Sequence, residues 1–241
     1  MRAIWIIFRK EVVQYFSSPL AYLIGAAFLL LTGITFNNDL AFAITRRPVD
    51  PALIPRLLTL MMVLFAPLLT MRLLAEENRE GTTELLLTAP ISDFSIVVGK
   101  YFSAWFYYTL LLLLTSAYQV ILLQISTPDM AHTIGAYIGI WLYGGATLAL
   151  GMAFSAATDN QLLAAFLSTT ALLVLYFADS IGWIVSNLDL AQIFYNLGIQ
   201  GHFLPSFAQG IIRAEDVVYY AGVITVALFV AIRILESKRW R

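Results

Sequence analysis

Six long apolar runs, separated by short charged or proline-bearing stretches, leave this chain few ways to fold in water. They cover residues 20–36, 53–74, 94–123, 132–157, 162–178 and 217–235. A helix of about 20 apolar residues, rising about 1.5 Å per residue, crosses the roughly 30 Å hydrocarbon core of a bilayer. Arg56 and Arg72 lie near the ends of the second run, where long side chains can snorkel to the interface. Lys100 falls on the early turns of the third and reads as a marker of the membrane boundary. Charged residues make up only 12% of the chain and hydrophobic ones 60%; a soluble domain carries about 25% charge. The expected fold is therefore an all-α integral membrane protein, a single transmembrane domain over residues 1–241. Without cysteine there are no disulfides and no thiolate chemistry. A net charge of -1 gives no attraction to nucleic acid. No secretory signal is expected, because Arg9, Lys10 and Glu11 interrupt the first apolar stretch.

Residues 190–212 carry no charge before Arg213, yet they do not read as a seventh span. Gln192, Asn196, Gln200, His202, Ser206 and Gln209 are too polar for hydrocarbon, and Pro205 and three glycines accompany them. Residues 180–214 are expected to form an external re-entrant or interfacial region. Six spans place both termini on one side. Arg2, Arg9 and Lys10, Arg233, Lys238, Arg239 and Arg241, and Arg72, Arg79 and Lys100 then share that side, which the positive-inside rule makes cytoplasmic. Arg46 and Arg47 run against the rule. The expected location is the inner or plasma membrane.

Residues 1–18 read as an amphipathic interfacial helix. Ile4, Trp5, Phe8, Val12 and Tyr15 form its stripe, Ile6, Ile7 and Val13 fall off it, and Ser17-Ser18-Pro19 breaks it from the first span. A simple extension of that span is the alternative. Between the second and third spans lies a polar hairpin, residues 76–92. Gly81 can cap a two-turn helix there, with Glu84 at its positive end. Thr82, Leu85, Leu86 and Ala89 share one face, and Pro90 stops the helix. So short a helix needs packing against something larger.

The stretch "RLLAEENREGTTELLLTAPISDFSIVVGKY", residues 72–101, resembles the corresponding segment of ABC-2 type permeases, the membrane subunits of ATP-binding-cassette transporters. Within them it most resembles the gliding-motility-associated branch. The resemblance implies a type V exporter-like fold, with an elbow helix, six spans and a re-entrant region before the last. It implies that the hairpin is a coupling helix docking into an ATPase subunit through Glu76, Glu77, Arg79, Glu80, Gly81, Thr82, Glu84, Leu85, Leu86 and Pro90. It further implies two ATPase copies carrying ATP and Mg, a second permease copy or paralogue, and no cofactor in this chain. An additional external or auxiliary subunit is compatible with it.

"VVGK", residues 97–100, fails as a phosphate-binding loop, because Tyr101 follows where Ser or Thr is needed and Phe94 replaces the leading glycine. ATP would therefore bind a partner. Gly135 and Gly139, then Gly145 and Gly151, give small-residue spacing along the fourth span. They suit packing within one protomer, or a dimer seam. His132 and His202 are too scattered to suggest a metal site. Asp179 and Asp189 read as helix-end acids or as markers of a transport path. Two functions stay open: an exporter's permease, or a permease relaying ATPase motion to an external partner without a pore. An intramembrane enzyme lacks a recognisable catalytic set.

Overall fold

The computed structural model describes residues 2–43, 50–82, 91–125, 129–184 and 187–239. Every regular element among them is helical. In chain order these are α1 (Arg2–Ser17), α2 (Pro19–Ala43), α3 (Leu53–Thr70), α4 (Ala75–Glu80), α5 (Asp93–Ile125), α6 (Met130–Ala157), α7 (Gln161–Ile184), α8 (Leu188–Leu197), a 3-10 turn (Phe207–Gln209) and α9 (Ala214–Arg239). Six helices are long and apolar enough to cross a membrane: α2, α3 continuing through α4, α5, α6, α7 and α9. Each overlaps one of the six apolar runs, but α2 continues through Asn37, Asn38 and Asp39 to Ala43, and α7 continues past residue 178 to Ile184.

Local chemistry explains the boundaries. Pro19 opens α2 at the position where a missing N–H costs nothing. The Asp129 carboxylate accepts from the Ala131 and His132 amides and so caps α6. Asn160 does the same for α7, through Leu162 and Leu163, and Asn187 for α8, through Asp189 and Leu190.

The spans are unequally buried. In α3 and α6, 67% of the most apolar window lies inside the molecule, against 22% in α7 and 17% in α9. The first two are therefore the axis of the bundle, and α7 and α9 present most of their surface outward. Small residues let α6 take that place. Gly139 faces the Phe207 ring, Gly151 the Thr70 side chain and Gly145 the Trp105 ring, while Gly135 meets the backbone of Gly210. A side chain at Gly139 or Gly151 would overlap its neighbour outright.

The chain after α8 does not cross the bundle. It turns back into it: Ile199, Phe203, Phe207 and Ala208 are fully buried. The Ile199 amide donates to the Leu175 carbonyl (3.1 Å), and the Tyr220 hydroxyl donates to the Ile199 carbonyl (2.9 Å). The Ala208 carbonyl accepts from Arg56 (3.1 Å) and contacts His132 Nε2 at 2.8 Å. The segment's polar backbone is thus satisfied by α3, α6, α7 and α9 rather than by lipid.

In α1 the inward face is rotated from the expected stripe. Ile7 and Glu11 are its buried residues, whereas Trp5 is 64% exposed. The cause is α5, against which α1 lies. A side chain at Gly99 would meet the Ile4 carbonyl and Ile7 at 3.0 Å, so the bare glycine sets the closest approach and selects Ile7.

An even number of crossings returns the chain to the end at which it started. There, Lys238 near the close of α9 bonds Asp159 (3.1 Å), and Asn78 of α4 donates to the neighbouring Thr158 carbonyl (3.2 Å).

Candidate docking site

The connection from α3 to α5 begins after Thr70, the last residue of α3, and passes through residues 71–74 into α4. Its start is fixed by one hydroxyl on α6. Ser155 Oγ accepts from the Leu74 and Ala75 amides, each at 3.1 Å, and donates to the Met71 carbonyl at 3.2 Å. A helix start leaves backbone N–H groups without partners; here a neighbouring helix supplies the cap that Leu74 cannot. Gly81 ends α4 with φ +70°, a left-handed conformation that glycine adopts without strain. Gly81 therefore closes the helix before it, and the helix expected to follow it lies, beyond Thr82, outside the described residues.

Lys100 lies beneath α4 and is a buried ion-pair partner. Its side chain is only 3% exposed, and its ammonium sits 2.8 Å from Glu11 Oε1 of α1 and 2.9 Å from Glu77 Oε1 of α4. An unpaired buried ammonium costs far too much to keep its charge, so the two carboxylates are what allow Lys100 to stand there. Exposed Lys10 adds a second, looser cation at 3.7 Å from Glu11 and 3.6 Å from Glu77. Two lysines thus balance two glutamates. The pairing joins α1, α4 and α5 at one point, and Gly99 brings α1 close enough for Glu11 to reach it.

Two tyrosines brace the same corner. The Tyr15 hydroxyl donates to the Leu69 carbonyl (2.6 Å), tying α1 to α3, and the Tyr107 hydroxyl donates to the Ala21 carbonyl (2.6 Å), tying α5 to α2. Their rings stack with centroids 5.1 Å apart. Burial, and then the Glu11 charge, pushes the Tyr15 phenol well above its ordinary pKa, so it remains a donor.

The expected docking residues divide among distinct positions. Glu77 turns inward to Lys100. Glu76 meets Arg72 loosely at 3.8 Å. Arg79 and Glu80 are exposed. Thr82 Oγ1 donates to the Glu77 carbonyl (3.4 Å). Glu84, Leu85, Leu86 and Pro90 lie outside the described residues. Glu11 and Ser155 escape a reading by motif. Glu11 had a signal nonetheless: an acid set between Ile7, Phe8, Val12 and Tyr15 on the helix's inner side requires a cation opposite.

At the other end, Asp216 is buried and its Oδ1 lies 2.8 Å from His202 Nδ1. Asp179 packs against Gly198 and Gly201, and Asp189 lies in the first turn of α8. Among the described residues no group of three or more His, Asp or Glu is placed to hold a metal ion, and no cofactor site is indicated.

The arrangement around Lys100 fastens helices to one another and to the connection between two spans. Comparison with known proteins agrees with a transport role for such a bundle. The family model for ABC-2 family transporter proteins matches residues 31–235, most of the chain. A search among curated proteins finds no match. Six spans, an all-helical bundle and a family match of that extent lead to one conclusion: the chain belongs to the ABC-2 transporter family, as a multi-pass membrane permease domain.

Proposed function

We propose that this permease serves an ATP-driven exporter and that the hairpin of the α3–α5 connection, residues 76–92, docks a separate ATPase subunit. The observation that carries the reading is the Glu11–Lys100–Glu77 pairing. Through it and through Ser155, α4 is fastened to α1, α5 and α6. A displacement applied to the connection is passed to three helices instead of being absorbed by a loose turn. The sequence motif of residues 72–101 supports the same role, and the gliding-motility branch rests on that motif alone. In this proposal the ATPase is present in two copies and carries ATP and Mg. The permease pairs with a second copy or a paralogue, and both termini face the cytoplasm.

The test is the double substitution Glu84→Arg with Leu86→Asp in the complex purified from its native host. Loss of the ATPase from the purified complex, with the permease still folded and membrane-inserted, is expected. Retention of the ATPase with unchanged ATP turnover would overturn the docking assignment.

A further inference from the structure

Beside the Lys100 junction, a cavity of about 620 Å³ opens between the α1–α2 elbow and the α3–α4 connection. That volume falls within the roughly 300–1,000 Å³ of small-molecule pockets. Its two halves differ in chemistry. Toward the membrane, Leu20, Ala21 and Ile24 on the first turns of α2 face Leu68 and Leu69 on the last turn of α3. On the side of the α3–α4 connection, Gln14, Arg72, Glu76 and Glu80 line it. The cavity therefore passes from an aliphatic wall between α2 and α3 to a charged wall at that connection.

The charges in the polar half are not equally engaged. Glu11, Glu77, Lys10 and Lys100 satisfy one another. Arg72 is different. It stands 3.8 Å from Glu76 and 3.4 Å from Ser18 Oγ, so its five donors make no short contact there. Glu80 has no ion-pair partner among the described residues. One underused guanidinium and one unpaired carboxylate thus share a cavity whose other wall is aliphatic.

We propose that this cavity holds a phospholipid whose head carries both a phosphate and a primary amine. Arg72 takes the phosphate, as a planar guanidinium does best. Glu80 accepts from the ammonium, and one acyl chain lies along Leu20, Ile24, Leu68 and Leu69. A purely anionic head would leave Glu80 unpaired and repelled by the phosphate. A quaternary amine has no N–H to give it. The lipid would wedge the elbow helix against the α3–α4 connection, beside the Lys100 pairing. The cavity shares Glu76 and Glu80 with the connection assigned to the ATPase, but the test reads lipid binding by the permease alone, so the two proposals fail separately.

Native mass spectrometry of the delipidated full chain in detergent tests it, with phosphatidylethanolamine, phosphatidylglycerol, phosphatidylcholine and tail-free glycerophosphoethanolamine as probes. Phosphatidylethanolamine is expected to bind saturably and about tenfold more tightly than the other two lipids, the size of one charge-assisted contact. Glu80→Gln should remove that preference, Arg72→Gln should weaken all three lipids alike, and the tail-free head should bind at least about tenfold more weakly for want of the apolar wall. Equal binding of the three lipids would overturn the proposal, as would an unchanged preference in Glu80→Gln or unchanged affinities in Arg72→Gln. Equal binding of the tail-free head would assign the cavity to a soluble ligand and reject the lipid.

Discussion

Lys100 shows how far one side chain's meaning depends on what packs over it. In sequence it is a cation seven residues into a span, which is where snorkelling lysines occur. In the folded chain Glu11 and Glu77 close over it from two other helices, and it becomes a buried junction. The consequence is measurable. Lys100→Met removes the cation and leaves two carboxylates facing each other in a poorly hydrated site. Breaking a buried pair from one side costs about 3–5 kcal/mol. A lower midpoint of thermal unfolding in detergent is therefore expected for Lys100→Met, and the triple change Glu11→Leu, Glu77→Leu, Lys100→Met should recover most of the loss. No recovery in the triple variant would mean that the lysine acts through packing and not through charge.

Among the elements, α1 and α4 hold their positions by means that their own sequences only half reveal. The α1 pattern predicted an amphipathic helix, and a helix ending at the Ser-Ser-Pro break is present. Its hydrophobic stripe did not predict the buried side, because Trp5 is outside and Ile7 inside. Gly99 on α5 chose that side, by offering the one place where a backbone can come close. Gly99→Leu is accordingly expected to push α1 off α5. Overpacking of this kind costs about 1–3 kcal/mol, and it also draws Glu11 away from Lys100. Faster hydrogen exchange in α1, with α6 and α9 unaffected, would report it; unchanged exchange in α1 would show that the close approach does not hold the helix. In the same way α4 owes its start to Ser155, about eighty positions along the chain, which no capping rule applied to residues 70–82 could find.

At the scale of the molecule, the described residues hold six helices long and apolar enough to cross a membrane, with a segment before the last that packs back into the bundle. The segment after α8 was legible as unsuited to hydrocarbon because its polar side chains and glycines have no place there. Where it goes was not legible. It folds back so that Phe203 packs against Tyr143 of α6 and Phe207 fills the space between Gly139 and Tyr220 of α9. The even count makes a prediction about topology. Impermeant labelling of single-cysteine variants at residues 3 and 240, introduced into this cysteine-free chain, should find both on one face of the membrane. Labelling on opposite faces would refute the six-span arrangement.

Sequence by itself determined the class, the number and approximate positions of the long apolar helices, and the exclusion of residues 190–212 from that number. Each follows from a local property, the cost of placing charge and unpaired polar groups in hydrocarbon, which is decided residue by residue along the chain. Only the tertiary structure decided which face of α1 is buried, that Gly81 ends a helix, that Ser155 starts one, and that Lys100 belongs to Glu11 and Glu77. These depend on distance in space between segments far apart in sequence. A charged or small side chain takes its energetic value from the neighbour brought to it, not from the residues beside it in the chain.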